Sequence, residues 1–297
     1  MTTFTAKFID QEWEVPVESG RYHMIVGEFC PYAQRPQIAR QLLGLDKHIS
    51  ISFVDDVPSD IGLIFSQPEQ VTGAKSLRDI YHLTDPTYQG PYTIPILIDK
   101  TDNRIVCKES ADMLRLFTTD FSDLHQEDAP VLFSQETASL IDNDIQDINN
   151  NFQSLMYKLA FLDKQADYDT YSKEFFTFLD QKEHLLGQHP FLLGDNLSEV
   201  DIHFFTPLVR WDIAGRDLLL LNQKALEDYP NIFSWAKTLY NDFNLKTLTN
   251  PQSIKNNYYL GKFGRAVRQH TIVPTGPNMA KWENKAKKLR QFTALAF

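Results

Sequence analysis

The pattern of hydrophobic and polar positions changes near residue 120. Before that point, short apolar runs bounded by polar or turn-forming residues predict β-strands at 22–26, 49–54, 94–98 and 104–107. Apolar positions with helical spacing predict helices at 33–45, 76–83 and 110–118. The segment 99–103 reads as the turn between the last two strands, and 55–90 is a long loop. Connections that long are usually functional or disordered.

Beyond residue 130 the apolar positions recur every three or four residues. This period predicts helices at 132–148, 168–186, 202–214 and 232–243. The polar segment 120–130 ends in Pro130 and is the best linker candidate. The sequence therefore predicts an α/β domain over 1–120 and an all-α domain over 130–297 that includes a C-terminal tail.

The charge balance narrows the range of partners. The chain carries 29 Lys and Arg against 39 Asp and Glu, a net charge of −10, which disfavours nucleic-acid binding. The basic run 281–290, with KAKK at 285–288, is interpreted as a solvated helix face. The longest strictly aliphatic run, Leu218–Leu221, is far shorter than the ~18 residues of a membrane span. The N-terminus does not read as a secretory signal either.

Two cysteines, Cys30 and Cys107, are too few for a disulfide scaffold and predict a free-thiol, cytoplasmic protein. No P-loop, dinucleotide or HExxH motif is present. His184 and His189 are five residues apart, which is not the spacing of a ligand pair on one helix face, and solvated side chains are expected. We therefore expect no metal site.

Cys30 is the strongest chemical candidate. It follows a predicted strand and precedes Pro31, which is well suited to the first turn of a helix. A cysteine at that position meets unpaired backbone N–H groups and the positive end of the helix dipole, and both favour the thiolate. Ala33 occupies the place of a resolving cysteine, so a redox cycle would need an external thiol. The alternative is that Cys30 is only a small buried side chain, the reading preferred for Cys107.

Two further segments suit a peptide ligand. Pro95 near the start of a strand interrupts sheet pairing and leaves backbone groups of Ile94 open to an extended peptide. Glu109 and Ser110 begin a helix, where amides and a hydroxyl suit a carboxylate and the Glu109 side chain suits an ammonium. Without further support, Pro95 is also consistent with a turn, and Glu109-Ser110 with an ordinary helix start.

Together these segments resemble the cytosolic glutathione transferases, which pair a thioredoxin-like domain with a helical domain and usually carry a cis-proline at this position. GRYHMIVGEFCPYAQR (20–35) is similar to the GRYHLYVSLACPWAHR block of the glutathionyl-hydroquinone reductases, the xi class. The resemblance extends over nearly the whole chain and includes the blocks at 73–90, 93–100, 108–117, 148–161, 198–212 and 271–277. The chain departs from the family at Gln34 and in SIKNNYY (253–259), where the family has histidines, and at Pro36, where the family has a residue with a backbone N–H.

The resemblance implies that the Cys30 thiolate reduces glutathionyl-hydroquinones through a Cys30–glutathione mixed disulfide, with glutathione as co-substrate. It also implies a homodimer acting on quinone or hydroquinone conjugates. Tyr157 and one of Tyr258 and Tyr259 match tyrosines that assist the leaving group. The implied glutathione contacts are Trp13, Tyr32, Ile94, Pro95, Glu109 and Ser110.

Three alternatives remain at this point. The first is a general monothiol transferase acting on mixed disulfides, as in the omega class. The second is a non-catalytic binding module with a transferase fold. The third is conjugation of glutathione to electrophiles, against which a nucleophilic Cys30 argues.

Overall fold

The computed structural model describes residues 2–261, 264, 266 and 272–283. The chain forms two compact units, Met1–Pro130 and Val131–Phe297. Most of the basic run at 281–290, including its KAKK segment, lies outside the described residues. None of the helices described is long and apolar enough to cross a membrane.

The first unit is built on a four-stranded sheet of order β4-β3-β5-β6. These strands and the preceding hairpin are β1 Thr3–Phe8, β2 Gln11–Pro16, β3 Tyr22–Val26, β4 Ser50–Phe53, β5 Ile96–Asp99 and β6 Arg104–Cys107. β3 and β4 are parallel and are joined through helix α1 (Pro31–Leu42), whereas β5 runs antiparallel to β3 and β6. Helix α3 (Ser110–Thr118) follows β6 and packs against α1. This arrangement confirms the predicted thioredoxin-like fold.

The hairpin of β1 and β2 was not predicted. In β1 the side chains of Phe4, Ala6 and Phe8 are buried and the intervening ones are exposed, which is the period of a strand covering a core on one side. The alternation spans only six residues that include Thr and Lys. So short a signal was not recognised in the sequence.

The first half of the predicted linker 120–130 belongs to the first unit. Residues Asp120–Leu124 form a 3₁₀-helix, and Phe121 within it is fully buried. Its ring lies 5.5–5.6 Å from the rings of Phe4, Tyr22 and Phe117. The polar character of this segment concealed one aromatic residue that ties it to the core, so the linker prediction was wrong there.

The long loop after β4 contacts the sheet through Glu69. Glu69 accepts hydrogen bonds from the backbone of Val71 and Thr72, and its Oε1 lies 3.1 Å from Nε2 of the buried His23 on β3. Burial lowers the pKa of His23. The loop then enters helix α2 (Leu77–Thr84), whose first turn is closed by a capping box between Ser76 and Asp79.

The second unit is helical, as predicted. Its helices are α4 Ala138–Ile148, α5 Ser154–Leu159, α6 Gln165–Leu186, α7 Glu199–Arg210, α8 Arg216–Leu218, α9 Pro230–Asn241 and α10 Pro251–Leu260, followed by the short helix Ala280–Glu283. The first predicted helix begins at Ala138 rather than at residue 132. Every residue of α7 is buried, so this helix forms the centre of the unit.

Among the described residues, two π-helical turns interrupt the regular helices, Asn149–Gln153 before α5 and Trp211–Gly215 after α7. Such turns often occur at functional sites. Helix Ala280–Glu283 lies beside the second turn, where the buried Trp282 donates its indole N–H to Asp212 at 2.8 Å and Lys281 pairs with the same carboxylate at 2.7 Å.

Candidate functional site

The register of the sheet brings three predicted site segments to one end of the first unit. Cys30 follows the last residues of β3, Ile94 and Pro95 precede β5, and Glu109 follows β6. Ile25 of β3 pairs with Ile96, and Leu97 pairs with Cys107, so all three segments emerge at the same edge. Residues separated by up to 80 positions in the sequence therefore become neighbours.

Cys30 is the N-cap residue of α1, as predicted. Its backbone is extended (φ −83°, ψ 120°), and the Ala33 N–H donates to Sγ at 3.4 Å. Pro31 fills the first helical position and brings no competing N–H. The residue is 9% exposed, so the sulfur lies at the boundary between core and solvent. This geometry supplies a helix-terminal donor that stabilises a thiolate.

Ile94 places its backbone polar groups beside this sulfur. Its carbonyl oxygen lies 4.0 Å from Cys30 Sγ, and the Ile94–Pro95 peptide bond is cis. Within the part of the chain that the structure describes, no group accepts the Ile94 N–H. Gly27 allows the Ile94 side chain to lie close to the backbone between β3 and Cys30, since a Cβ there would lie 2.8 Å from Ile94 Cδ1. An extended peptide could pair with Ile94 as it would with an edge strand.

Glu109 and Ser110 form the start of α3 at the same edge. Glu109 is the N-cap residue, and its side chain makes no capping hydrogen bond. The carboxylate is 63% exposed and pairs with Lys108 Nζ at 2.6 Å, whereas Ser110 is buried. A helix start without a side-chain cap, with an exposed carboxylate beside it, suits a zwitterionic ligand.

Cys107 is nearly as buried as Cys30, but its sulfur makes different contacts. It ends β6, is 8% exposed and lies 3.6 Å from the Glu109 carbonyl oxygen, to which its thiol donates. Burial raises the pKa of Cys107 to about 12. A thiol of this kind stays protonated at neutral pH and is a poor nucleophile.

The structure does not bring Trp13 to this end of the sheet. The Arg104 guanidinium lies 4.3 Å above the Trp13 ring. In the register of the sheet, Arg104 lies opposite Asp99, and Asp99 lies opposite Tyr22 at the beginning of β3. At ~3.3 Å per residue, the length of β3 separates the two ends of the sheet by roughly 13 Å. Tyr32 lies next to Cys30 on α1, is 40% exposed and carries the Arg35 guanidinium 5.0 Å above its ring.

In the helical unit the structure joins two of the three predicted tyrosines. The hydroxyls of Tyr157 on α5 and Tyr258 on α10 lie 2.8 Å apart. The Tyr259 hydroxyl instead donates to the Ala214 carbonyl in the second π-helical turn, at 3.4 Å. Tyr258 is therefore the member of the pair that meets Tyr157, a choice that the sequence left open.

One residue near the first site was missed in the sequence. Tyr81 on α2 is fully buried, and its hydroxyl contacts both backbone polar groups of Thr93, the residue before Ile94. A tyrosine on the apolar face of a short helix looks like an ordinary core residue. No sequence signal distinguished it, because its partner lies in a loop twelve residues away.

Family models match both parts of the chain. The model described as glutathione S-transferase, N-terminal domain, matches residues 29–119, and the model described as glutathione S-transferase, C-terminal domain, matches residues 165–238. Among curated proteins, the chain is 34% identical to the glutathionyl-hydroquinone reductase PcpF of Sphingobium chlorophenolicum. That match spans 88% of this chain and 84% of PcpF.

Solved structures give the same relationship. The chain is similar to the glutathione-bound structure of YqjG from Escherichia coli, with a TM-score of 0.87, 29% identity and coverage of 93% of this chain and 90% of that one. It is also similar to the glutathione-S-transferase Xi of Phanerochaete chrysosporium, with a TM-score of 0.85, 29% identity and coverage of 93% and 96%.

Proposed function

The chain belongs to the xi class of the glutathione S-transferase family, that of the glutathionyl-hydroquinone reductases, and from this premise we propose that it reduces glutathionyl-hydroquinones with Cys30 as the nucleophile. As a member of this family it is a glutathione-dependent enzyme of the oxidoreductase or transferase type. The observation that carries the finer proposal is the Cys30 sulfur at the N-terminus of α1, with the Ala33 N–H directed at it.

In the first step the Cys30 thiolate attacks the glutathione sulfur of the conjugate. A sulfur–sulfur bond forms between Cys30 and glutathione while the bond from sulfur to the aromatic carbon breaks. The electron pair of that bond stays with the carbon, which takes up a proton and leaves as the hydroquinone. Sulfur is oxidised and the carbon is reduced, so no further oxidant or metal is required.

In the second step the thiolate of another glutathione attacks the mixed disulfide. It binds the glutathione sulfur, releases the Cys30 thiolate and leaves as oxidised glutathione. An external thiol is needed because Ala33 stands where a resolving cysteine would be, and because burial keeps Cys107 protonated, with its pKa raised to about 12.

The neighbourhood of Ile94 supports binding of glutathione in an extended form. Its N–H, and its carbonyl once the Cys30 thiol that donates to it is ionised, would pair with the backbone of the cysteinyl residue, which puts the glutathione sulfur at Cys30. The γ-glutamyl end would then lie at the start of α3, its carboxylate at the helix amides and the Ser110 hydroxyl and its ammonium at Glu109.

Breaking a bond from sulfur to an aromatic carbon requires a proton at that carbon. The paired hydroxyls of Tyr157 and Tyr258 support a role as the donor, since a phenol is neutral at pH 7 and its partner can compensate the charge that develops on it. Reduction of a simple mixed disulfide has a thiolate as its leaving group and needs no such help.

Intact-mass analysis tests the nucleophile. The wild-type protein exposed to oxidised glutathione should gain one glutathione, and reduced glutathione should remove it. Cys30→Ser should gain none, whereas Cys107→Ser should behave as the wild type because that thiol is buried and protonated. An adduct that persists in Cys30→Ser and disappears in Cys107→Ser would overturn the mechanism.

A further inference from the structure

The backbone at Thr93 is held by one phenol. The Tyr81 hydroxyl donates to the Thr93 carbonyl oxygen at 2.9 Å and accepts from the Thr93 N–H at 3.3 Å. Both polar backbone groups of the residue immediately before Ile94 are thus engaged by a single side-chain atom. Burial raises the pKa of Tyr81, so the phenol keeps the proton that it donates.

The ring that carries this hydroxyl has little freedom. Tyr81 is fully buried, stacks on Tyr88 with ring centroids 5.0 Å apart, and meets Tyr92 edge-on at 5.5 Å. Helix α2 is itself fixed at both ends. Its start is closed by the Ser76–Asp79 capping box, and Thr84 at its end accepts from the Ile105 N–H of β6 at 2.8 Å. The hydroxyl is therefore held by the sheet through α2.

The consequence of this anchoring falls on Ile94. The Thr93 carbonyl and the Ile94 N–H belong to one planar peptide group, so fixing the direction of that carbonyl also fixes the direction of the Ile94 N–H. That N–H has no acceptor among the described residues and stands beside the Cys30 sulfur. A binding group that is already oriented loses less conformational entropy when its ligand arrives.

We propose that Tyr81 is a positioning residue that orients the Thr93–Ile94 backbone for pairing with the extended glutathione backbone, an inference that rests on the proposed function of Ile94. Tyr81 touches neither glutathione nor the reacting sulfur in this assignment. Its contribution is to the affinity for glutathione and not to the chemistry at Cys30.

The position of Thr93 separates this role from a purely structural one. Thr93 is exposed, so water can replace the hydroxyl when it is removed, and little of the loss should appear in folding stability. Water does not fix the direction of the peptide group as the buried phenol does. Tyr81→Phe should therefore weaken glutathione binding by about five- to tenfold, the effect of one lost hydrogen bond.

Tyr22→Phe is the matched control. Tyr22 is also fully buried in the first unit, and its hydroxyl also donates to a backbone carbonyl, that of Pro16. In the register of the sheet Tyr22 lies opposite Asp99, at the end of the sheet away from Cys30. The substitution removes the same atom from the same kind of environment without touching the Thr93–Ile94 backbone.

The experiment measures binding of reduced glutathione by calorimetry and the steady-state reduction of a small glutathione mixed disulfide. In Tyr81→Phe we expect the dissociation constant and the KM for glutathione to rise together by about five- to tenfold, while the rate at saturating glutathione stays within about twofold of the wild type. Hydrogen exchange of the peptide spanning residues 88–97 should also quicken, whereas Tyr22→Phe should match the wild type in all three measurements.

Equal affinity for glutathione in the wild type and Tyr81→Phe would overturn the inference alone. A similar loss of affinity in Tyr22→Phe would also overturn it, because the effect would then reflect general loosening of the unit. If the wild-type protein itself binds no glutathione, the proposed function falls and the inference falls with it.

Discussion

Removing one hydroxyl from each of two adjacent tyrosines separates a chemical role from a structural one. Tyr258 and Tyr259 are both 4% exposed on α10, so Tyr258→Phe and Tyr259→Phe delete the same atom at the same depth. The two hydroxyls have different partners. Tyr258 meets Tyr157 at 2.8 Å, and Tyr259 donates to the Ala214 carbonyl at 3.4 Å.

The two substitutions should have the same effect on stability but different effects on turnover. Each deletion should reduce the free energy of unfolding by about 1 kcal/mol, the usual contribution of one hydrogen bond. A donor that acts in the transition state is worth about 10²–10³ in turnover, and we expect that loss on a glutathionyl-hydroquinone for Tyr258→Phe alone. Since the two phenols form one pair, Tyr157→Phe added to Tyr258→Phe should slow turnover by only about a few fold more.

The assay compares two substrates with each variant. Turnover of a glutathionyl-hydroquinone is measured beside reduction of a simple glutathione mixed disulfide, and denaturant unfolding records the stability change. Tyr258→Phe should lose the first activity and keep the second. If Tyr259→Phe slows the first activity as much as Tyr258→Phe does, or if Tyr258→Phe loses both activities equally, the pair is structural and the general monothiol transferase becomes the better assignment.

Three further predictions concern the first unit. Burial raises the pKa of Cys107 to about 12, so its thiol is protonated at pH 8. Iodoacetamide at that pH should therefore label Cys30 but not Cys107, as measured by peptide mass. Rapid labelling of Cys107 in the folded protein would contradict this. The stability gained by keeping Cys107 neutral in the folded state is fully present below the ordinary thiol pKa of 9.0 and is lost as the pH rises toward the folded-state pKa of about 12. Unfolding should therefore become easier over that interval in the wild type but not in Cys107→Ala. Glu109→Ala should raise the glutathione requirement by about tenfold, near the lower end of the contribution of one hydrogen bond to a charged group, with little change in the rate at saturation. Glu12→Ala serves as the control, because Glu12 is also an exposed acidic residue paired with a lysine. Unchanged glutathione affinity in Glu109→Ala by calorimetry would show that Glu109 is not part of the site.

Features that depend on a few consecutive residues were determined by the sequence. The order strand, Cys30, Pro31, helix predicted the N-cap position of the sulfur, because capping involves only the first turn of a helix. The bounds of β3, β6 and α3 were also predicted residue for residue, since β3 and β6 are short apolar runs with clear limits and α3 has apolar positions at helical spacing. The thioredoxin-like and helical architecture followed from the change in period near residue 120 and from the family resemblance.

Features that depend on which distant surfaces meet were decided by the tertiary structure. Neighbouring residues on a helix point about 100° apart, so only the packing of α10 against α5 selects Tyr258 as the partner of Tyr157. In the same way, the register of β5 and β6 places Arg104 at the end of the sheet away from Cys30, and Trp13 lies at that end because its ring contacts the Arg104 guanidinium. The sequence contains these residues but not their distances, because each contact depends on the packing of elements that are far apart along the chain.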